Sequence, residues 1–230
     1  HNDLGNMLRE QGQWVEAEAC YARAIAINPG YVDALANMAG LARHRGELDT
    51  ARELLLRALT ARPSSTAVLA YLGDLACQRE QYAEATDWYR QAIAIEPNDA
   101  RTRLKLGAAW QGQENFAAAV NEYRQSLALD PTVAEAHYNL ATAIEALGHT
   151  EEAVAGYERA LALDPGYVNA HVNLGAYYQD QGDSQRALEH YIRVLERHPD
   201  SPQAHYNRGL ILLRSGNFTA GWPDYEWRLK

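Results

Sequence analysis

Six prolines divide this chain of 230 residues into units of equal length. They are Pro29, Pro63, Pro97, Pro131, Pro165 and Pro199, and each follows the one before it by 34 residues. A fixed period of about 20–50 residues is typical of stacked repeat proteins, in which each unit contacts only its neighbours. The spacing therefore predicts an array of repeated units rather than one globular core.

Other residue types recur at the same period as the proline. In the unit 134–167 they are Leu140, Ala141, Gly148, Ala153, Tyr157, Ala160 and Pro165. Apolar residues at helical spacing lie on both sides of Gly148, which predicts two helices. Gly148 supplies the left-handed residue that helix C-termini favour, and Pro165 ends the second helix because it cannot continue one. Each unit is therefore predicted to be an antiparallel helical hairpin.

Small residues and tyrosines occupy fixed phases of the unit. Glycine stands at 5, 73, 107, 175 and 209, and alanine stands at 17, 51, 85, 119, 153 and 187. We expect these small side chains to let the helix axes approach closely, because a larger side chain there would overpack the contact. Tyrosine at 21, 89, 123, 157, 191 and 225 shares a single phase, and we expect these rings to lie in the core.

This pattern resembles the tetratricopeptide repeat (TPR) family, and the resemblance covers essentially the whole chain. It implies an all-α fold, an α-α superhelix or solenoid of about seven tandem TPR helical hairpins. We expect one array over residues 1–230, with repeats at about 1–31, 32–65, 66–99, 100–133, 134–167, 168–201 and 202–230. The first repeat is expected to be truncated because His1 matches the fourth position of the unit, and the last is expected to be truncated or a cap.

The charge and composition of the chain argue against several classes of partner. The formal net charge is −9 at pH 7, whereas binding to nucleic acid or to an anionic membrane needs a basic face. No apolar run in the sequence approaches the roughly 18 residues of a membrane span. Cys20 and Cys77 lie in different repeats and different phases, which favours free thiols in a reducing compartment. We therefore expect a cytoplasmic protein with no nucleic-acid partner and no membrane insertion.

Several residues invite a chemical interpretation, but the repeat gives each of them a simpler one. Glu151 and Glu152 open a predicted second helix, where carboxylates suit the positive end of the helix dipole. His137, His171 and His205 recur at the period, so neighbours are expected about 8–10 Å apart, too far to share a zinc ion that needs ligand nitrogens about 2 Å away. The sequence contains no phosphate-binding glycine loop and no nucleophile elbow. For residues 1–230 we predict no catalytic residue, no metal site, no cofactor and no enzymatic activity.

The resemblance to the TPR family places function on the concave face, which the first helices of the hairpins line in such arrays. The sixth position of each unit points inward by that resemblance, and it is occupied by Asp3, Asn37, Tyr71, Lys105, Asn139, Asn173 and Asn207. An asparagine amide both donates and accepts, so a ladder of asparagines can clamp a peptide backbone whatever its side chains. The predicted peptide-binding residues are Asn37, Tyr71, Lys105, Asn139, Asn173 and Asn207, together with Tyr138 and Tyr206. The alternative is that asparagine is merely a tolerated polar residue near solvent.

Repeats that read HYNLA, HVNLG and HYNRG resemble the array in front of O-linked N-acetylglucosamine transferases and their bacterial relatives. The stretch from Gly221 to Arg228, GWPDYEWR, departs from the repeat. It resembles the final repeat of bacterial proteins in which an array precedes a glycosyltransferase-like domain, and the alternative is a capping repeat. Under the glycosyltransferase interpretation the catalytic residues lie outside this chain, since none maps onto residues 1–230.

Three functions are consistent with the sequence. We favour a protein–protein interaction module that binds extended polypeptide on its concave face, with asparagines that clamp the peptide backbone. The first alternative is the substrate-recruiting N-terminal region of a larger protein glycosyltransferase. The second alternative is a scaffold that self-associates through the ends of the array, where an apolar helix face is left uncovered.

Overall fold

The computed structural model describes residues 1–229, and in that range it is built from α-helices joined by short turns. The helices are α1 (Asn2–Glu10), α2 (Trp14–Ile27), α3 (Val32–His44), α4 (Leu48–Ala61), α5 (Thr66–Gln78), α6 (Tyr82–Ile95), α7 (Ala100–Gly112), α8 (Phe116–Leu129), α9 (Ala134–Ala146), α10 (Thr150–Leu163), α11 (Val168–Asp180), α12 (Ser184–Arg197), α13 (Pro202–Arg214) and α14 (Phe218–Tyr225), followed by the 3-10 helix Glu226–Leu229. Consecutive helices pack as hairpins, and no strand lies within the described residues. The predicted all-α solenoid of about seven tandem hairpins is confirmed.

The hairpins group into two compact units, His1–Glu122 and Tyr123–Lys230, and the boundary between the units falls within α8. In unit 1 the first helices α1 and α3 are in contact, as are α5 and α7. In unit 2 the first helices α11 and α13 are in contact. First helices of neighbouring hairpins therefore lie side by side within each unit. A single domain over residues 1–230 stays a prediction.

Each of five hairpins is centred on one buried tyrosine of its second helix. Tyr21, Tyr89, Tyr123, Tyr157 and Tyr191 are at most 2% exposed, which confirms their predicted place in the core, whereas Tyr225 is half-buried. Glycine of the first helix makes room for the ring: a Cβ added to Gly5 would lie 2.6 Å from the Tyr21 ring, and one added to Gly175 would lie 2.7 Å from the Tyr191 ring. A side chain in either place would overpack the hairpin, at a cost of about 1–3 kcal/mol.

A side chain on the first helix ties several hairpins to the turn before them. The pairs, measured from Nε2 to the proline carbonyl oxygen, are His137 with Pro131 (3.0 Å), His171 with Pro165 (3.1 Å) and His205 with Pro199 (2.7 Å). Because a carbonyl only accepts hydrogen bonds, Nε2 carries the proton in each pair. In the same phase, Arg103 donates from Nε to the carbonyl oxygen of Pro97 at 3.0 Å. The periodic histidines therefore serve packing, as predicted.

The last hairpin differs from the others in that a buried carboxylate, that of Asp224, joins its two helices. Asp224 is 6% exposed and accepts hydrogen bonds from Nε and Nη2 of Arg208 at 2.5 and 2.9 Å. His205 Nδ1 lies 2.7 Å from the same carboxylate, and the Trp227 ring stacks on the His205 ring with centroids 4.1 Å apart. Burial by itself would raise the pKa of Asp224, but the hydrogen bonds from Arg208 and His205 outweigh it and hold the pKa below its usual value. The unusual residues of this ending thus have a packing role within the hairpin.

Every turn inside a hairpin needs one residue with a left-handed backbone. Glycine occupies this place at 12, 46, 148, 182 and 216, with φ between 76° and 86°. Glu80 and Glu114 occupy it in two hairpins, each with φ of 58°. A residue with a side chain costs roughly 1–2 kcal/mol in this region, so these two turns are strained relative to the other five.

Two histidines meet between α11 and α12. His171 Nδ1 lies 2.8 Å from His190 Nδ1. Since Nε2 of His171 donates to the Pro165 carbonyl, its Nδ1 accepts and His190 Nδ1 is the donor. The His190 ring also stacks on the Tyr178 ring, with centroids 5.6 Å apart. Burial, with a smaller contribution from His171, lowers the pKa of His190 to about 4.

Replacing Glu80 or Glu114 by glycine should stabilise the protein. The change removes the strain of the left-handed backbone, but the greater conformational freedom of glycine in the unfolded chain offsets part of this stabilisation. We therefore expect the free energy of unfolding to rise by about 0.5–1 kcal/mol. Gly148→Ala is the matched opposite change: no atom lies within 4 Å of the added Cβ, so a loss of stability there reports backbone strain alone. Urea unfolding followed by circular dichroism measures all three variants. Unchanged midpoints in both glycine variants would contradict the strain.

The stability of the protein should fall as the pH drops from about 6.5 towards 4. In this window the unfolded chain binds a proton at His190, which titrates near its ordinary pKa, whereas the folded protein does not, so acid favours unfolding. We expect this group to contribute a loss of roughly 1–3 kcal/mol. His190→Asn keeps an N–H donor for His171 but does not titrate, so it should flatten the profile, whereas the exposed His149→Asn should not. Equal pH profiles for the wild type and H190N, from denaturant unfolding, would overturn this assignment.

Candidate functional site

The first helices carry a set of side chains that share one side of the helix. Residues three or four apart lie next to each other on a helix, so the fifth, sixth, ninth and twelfth positions of a first helix form one surface. We call this surface the first-helix face. In unit 1 it includes Asn2, Asp3, Asn6, Arg9, Asn37, Gly40, Arg43, Tyr71, Asp74, Cys77 and Lys105, and in unit 2 it includes Tyr138, Asn139, Thr142, Glu145, Asn173, Gln179, Tyr206 and Asn207. It contains every residue that the sequence predicted to bind peptide.

In unit 1, Asn37 is held by groups of its own chain. Its Nδ2 donates to Asn2 Oδ1 at 3.0 Å and to Asn6 Oδ1 at 2.9 Å. Its Oδ1 accepts from Arg9 Nη1 at 3.4 Å. Asn6 Oδ1 also accepts from the hydroxyl group of Tyr21 at 2.8 Å. Both N–H groups of the Asn37 amide are therefore used in joining α3 to α1.

Lys105 is likewise paired within unit 1. Its ammonium nitrogen lies 2.7 Å from Asp74 Oδ2, and the Tyr89 hydroxyl donates to Asp74 Oδ1 at 2.7 Å. Burial, together with the charge of Asp74, raises the pKa of Tyr89. Asp74 thus joins α7 to the α5–α6 hairpin through one cation and one hydroxyl group.

The sixth residue of a hairpin in unit 1 meets the ninth residue of the hairpin before it, 31 residues earlier. The three pairs are Asn37 with Asn6, Tyr71 with Gly40, and Lys105 with Asp74. The pair of Tyr71 and Gly40 is steric: a Cβ added to Gly40 would lie 2.9 Å from the Tyr71 hydroxyl oxygen. In each pair the two side chains are therefore complementary, as two amides, as a ring and an empty space, or as a cation and a carboxylate.

In unit 2, two of the predicted asparagines bind the buried tyrosines. Asn207 is 9% exposed, and its Nδ2 donates to the Tyr191 hydroxyl at 3.2 Å. Burial raises the pKa of Tyr191 to about 12, and the hydrogen bond from Asn207 opposes part of this rise. Asn173 lies beside the hydroxyl groups of Tyr157 and Tyr138, where it opposes part of the rise that burial gives to the pKa of each. These two amides therefore hold α11 and α13 against the hairpins that precede them.

Asn139 differs from the other asparagines. Its side chain is half-buried, and its amide has no hydrogen-bond partner within residues 123–229. Its backbone carbonyl accepts from the hydroxyl group of Thr142 at 2.9 Å. The side-chain amide of Asn139 is thus open to a ligand.

The two predicted tyrosines are partly covered by other rings. The Tyr138 ring lies 5.6 Å from the Tyr157 ring and 5.1 Å from the Tyr167 ring, between centroids. The Tyr206 ring stacks on the Tyr225 ring at 5.5 Å. Both remain half-exposed on the first-helix face of unit 2, where their free surface can contact a ligand.

Sequence reasoning missed most of the residues that hold the predicted ones. Asn2, Asn6 and Arg9 surround Asn37, but a search at the period of 34 compares only residues of equal phase. These partners lie 35, 31 and 28 residues before Asn37, and a comparison of each sixth residue with the residue 31 before it would have revealed the complementary types of the pairs with Asn6, Gly40 and Asp74. The contact between His171 and His190 joins residues 19 apart, as do the contacts of Arg103 with Glu122 and of His205 with Asp224. A search for one recurring residue type misses it because the type at the second position changes from repeat to repeat.

Within the described residues, neither a metal site nor a membrane-spanning helix is present. Within residues 1–229 no group of three or more His, Cys, Asp and Glu side chains is arranged so that it could hold a metal ion. In the same range, no helix combines the length and the apolar character that crossing a membrane would require.

Three protein-family models match the chain, and all three describe this kind of repeat. Two models described as "Tetratricopeptide repeat" match residues 8–75 and 172–222. A third, described as "TPR repeat", matches residues 73–113, 112–148 and 146–182. The matches together extend from residue 8 to residue 222. No curated protein sequence matched this chain at a significant level.

Solved structures share the fold at low sequence identity. PilW, described as a widely conserved type IV pilus biogenesis factor, has a TM-score of 0.79 and 20% identity over 88% of this chain and 94% of its own. YrrB, described as a TPR protein with an unusual peptide-binding site, has a TM-score of 0.63 and 23% identity over 80% and 95%. MamA of Desulfovibrio magneticus RS-1 has a TM-score of 0.66 and 19% identity over 72% and 93%. These similarities show a common fold.

Models of one repeat family cover almost the whole chain, and solved TPR proteins share its stacked helical hairpins. The protein therefore belongs to the tetratricopeptide repeat family.

Proposed function

We propose that this protein binds an extended segment of another polypeptide along its first-helix face. At the coarser level, a fold made of TPR hairpins is typical of non-enzymatic protein-interaction modules. The observation that carries the proposal is the open amide of Asn139, which stands on this face beside the half-exposed ring of Tyr138. The peptide-binding site described for YrrB, which shares the fold, supports it.

The chemistry of an amide fits an extended backbone. A peptide presents one N–H donor and one carbonyl acceptor per residue, at about 3.3 Å per residue, and an asparagine side chain can engage both. Packed helices lie about 8–10 Å apart, so first helices in contact would place one sixth-position residue along every three or so residues of peptide. In unit 2, Asn139 supplies an open amide and Asn173 a second amide beside the Tyr157 hydroxyl. Asn207 donates to the Tyr191 hydroxyl, and its Oδ1, which accepts from Gln203 Nε2 at 3.5 Å, keeps a second lone pair for a peptide N–H group.

In unit 1 the proposal gives the sixth positions a different chemistry. Tyr71 offers an aromatic surface, and Lys105 offers a charge that is shared with Asp74. Asn37 is fully engaged by its own chain, so its proposed role is to keep α1 and α3 in register beneath the peptide rather than to clamp it.

Substitution of Asn139 and of Asn207 should have opposite effects on binding and stability. Asn139→Ala removes an open amide, so we expect about a five- to twentyfold loss of affinity for peptides selected from a random library, with unchanged unfolding. Asn207→Ala removes a hydrogen bond to a buried hydroxyl, so we expect the free energy of unfolding to fall by about 1–2 kcal/mol. Fluorescence anisotropy and urea unfolding measure the two effects.

The matched control is Asn121→Ala, the same change at an exposed place on the second helix α8. It should alter neither measurement. Selection of no peptide by the wild-type protein would refute the proposed function. Peptide affinity that is equal in wild type and N139A would remove the asparagine clamp and leave polypeptide binding to other residues of the face.

The link to a protein glycosyltransferase stays a prediction. It rests on the repeats that read HYNLA, HVNLG and HYNRG and on the ending 221–228. The contacts of Asp224 with Arg208 and His205 give this ending a packing role of its own. Assay of the natural gene product for turnover of a sugar nucleotide would test it. The predicted bacterial origin and cytoplasmic location likewise stay predictions.

Self-association through the first hairpin is a second proposed function, and two exposed side chains favour it. Leu4 is 49% exposed and Met7 is 58% exposed, whereas Leu72 and Leu75, in the same two phases of a later hairpin, are 2% and 1% exposed. Apolar side chains that are buried against a neighbouring hairpin elsewhere are here uncovered, and a second copy of the chain can cover them.

The variant Leu4→Glu/Met7→Glu should therefore lower the mass that static light scattering gives at high protein concentration. Val15→Glu is the control, because Val15 is 77% exposed in a phase that holds Asp49 and Glu151 in other repeats. A mass that does not depend on concentration in the wild-type protein would exclude the scaffold.

A further inference from the structure

A cavity of about 450 Å³ lies in unit 1, between the C-terminal end of α3 and the helices α1, α2 and α5. It is lined by Arg9, Trp14, Gly40, Leu41, Arg43, His44, Tyr71 and Gln78. Two guanidinium groups contribute to this lining, and no aspartate or glutamate does. Arg9, Gly40, Arg43 and Tyr71 also belong to the first-helix face, so a polypeptide on that face would pass the cavity.

Arg43 is held in place without being neutralised. Its guanidinium carbon lies 4.8 Å from the centroid of the Tyr71 ring, a cation–π contact that uses the flat side of the guanidinium group. Tyr71 is itself fixed, because Gly40 leaves room for its hydroxyl against α3. Within unit 1, Arg43 has neither a carboxylate partner nor a side-chain hydrogen bond. Its N–H edge is therefore free to donate.

Arg9 supplies the second open cation. One of its nitrogens, Nη1, donates to Asn37 Oδ1 at 3.4 Å, and within unit 1 no carboxylate pairs with it. Asn37 fixes Arg9, and Tyr71 fixes Arg43. These two partners occupy the sixth position of adjacent hairpins. Both guanidinium groups are thus pre-positioned by neutral partners, which is the arrangement that favours capture of an anion.

A nearby arginine, Arg45, shows the contrasting case of a guanidinium group that carboxylates neutralise. Arg45 lies two residues after Arg43, and it is bound at 2.7 Å by Glu18 and at 2.9 Å by Glu47. The chain has a net charge of −9, so carboxylates are abundant, yet none reaches the cavity. Two unpaired guanidinium groups at one cavity of an acidic protein leave a place for an acidic group from outside.

The remaining walls fit the rest of an amino-acid side chain. The Trp14 and His44 rings stack with centroids 5.0 Å apart and an angle of 12° between their planes. These rings offer apolar surface in the same lining as the two cations. The methylene groups of a glutamate can pack on such surface while its carboxylate accepts hydrogen bonds from the guanidinium groups.

We propose that this cavity selects acidic segments of the partner polypeptide by binding a glutamate or aspartate side chain between Arg9 and Arg43. The inference rests on the proposed function, because it names the chemistry of the polypeptide that the first-helix face holds. The ligand is a peptide carboxylate, and the two guanidinium groups are its donors.

The test compares two fluorescein-labelled octapeptides on the full chain, one of alternating glutamate and alanine and one of alternating glutamine and alanine. Fluorescence anisotropy should show at least tenfold tighter binding of the glutamate peptide, and rising salt should weaken it. The variant Arg9→Gln/Arg43→Gln keeps an N–H donor for Asn37 and removes both charges. It should bind the glutamate peptide about ten- to a hundredfold more weakly than the wild type, as expected for lost charge-assisted hydrogen bonds.

The matched control is Arg23→Gln/Arg57→Gln, which makes the same change in net charge at exposed places on α2 and α4. Its affinity should stay within about twofold of the wild type, and circular dichroism should show that both double variants are folded. Equal affinity for the two peptides, no binding of the glutamate peptide, or unchanged binding by R9Q/R43Q would overturn the proposal.

These outcomes are separable from a failure of the proposed function. Peptides selected from a random library that bind in an Asn139-dependent way, without preference for glutamate, would refute the acidic cavity alone. Selection of no peptide at all would refute both.

Discussion

The hydroxyl group of a buried tyrosine needs a hydrogen-bond partner, and this need shapes the surface where we place function. In four hairpins the ring packs against the first helix, and its hydroxyl reaches a polar side chain on the first-helix face. The partners are Asn6 for Tyr21, Asp74 for Tyr89, Glu145 for Tyr157 and Gln179 for Tyr191. The face is therefore polar in part because the core requires it, before any ligand is considered.

The same requirement divides the asparagines by role. Asn207 gives an N–H group to the Tyr191 hydroxyl, and Asn173 lies beside the Tyr157 hydroxyl, so both belong to the packing of one hairpin on the next as much as to a ligand. Asn139 carries no such duty within its unit. Asparagines of equal phase thus differ in the hydrogen-bonding groups that they can offer to a ligand. The difference arises because some of them lie against a tyrosine hydroxyl.

The sequence predicts the fold well because the repeat presents the same evidence many times. Gly148, Tyr157 and Pro165 each recur, and each points to one local feature, so helix type, turn and core agree with one another. The resemblance to the TPR family pointed to the sixth positions of the first helices, and the repeat gave their residue numbers. Periodicity could not show which residues of the first-helix face are engaged, because contacts such as that of Lys105 with Asp74 cross from one repeat to the next. Nor could it reveal the Arg9–Arg43 cavity: the two arginines share one phase, but the walls of the cavity come from four helices that meet only in the fold.

The complementary pairs 31 residues apart carry a consequence for how such arrays are assembled. Asn37 matches Asn6, Tyr71 matches Gly40 and Lys105 matches Asp74, so half of each match sits in one repeat and half in the next. If the α5–α6 hairpin were moved to follow another repeat, Tyr71 would meet a side chain in place of the empty space over Gly40, and Asp74 would lose its cation. Repeats of this kind are therefore not interchangeable, because each packs well only on a particular preceding repeat. Duplication or shuffling of repeats within the gene succeeds only where the residues on both sides of the junction change together.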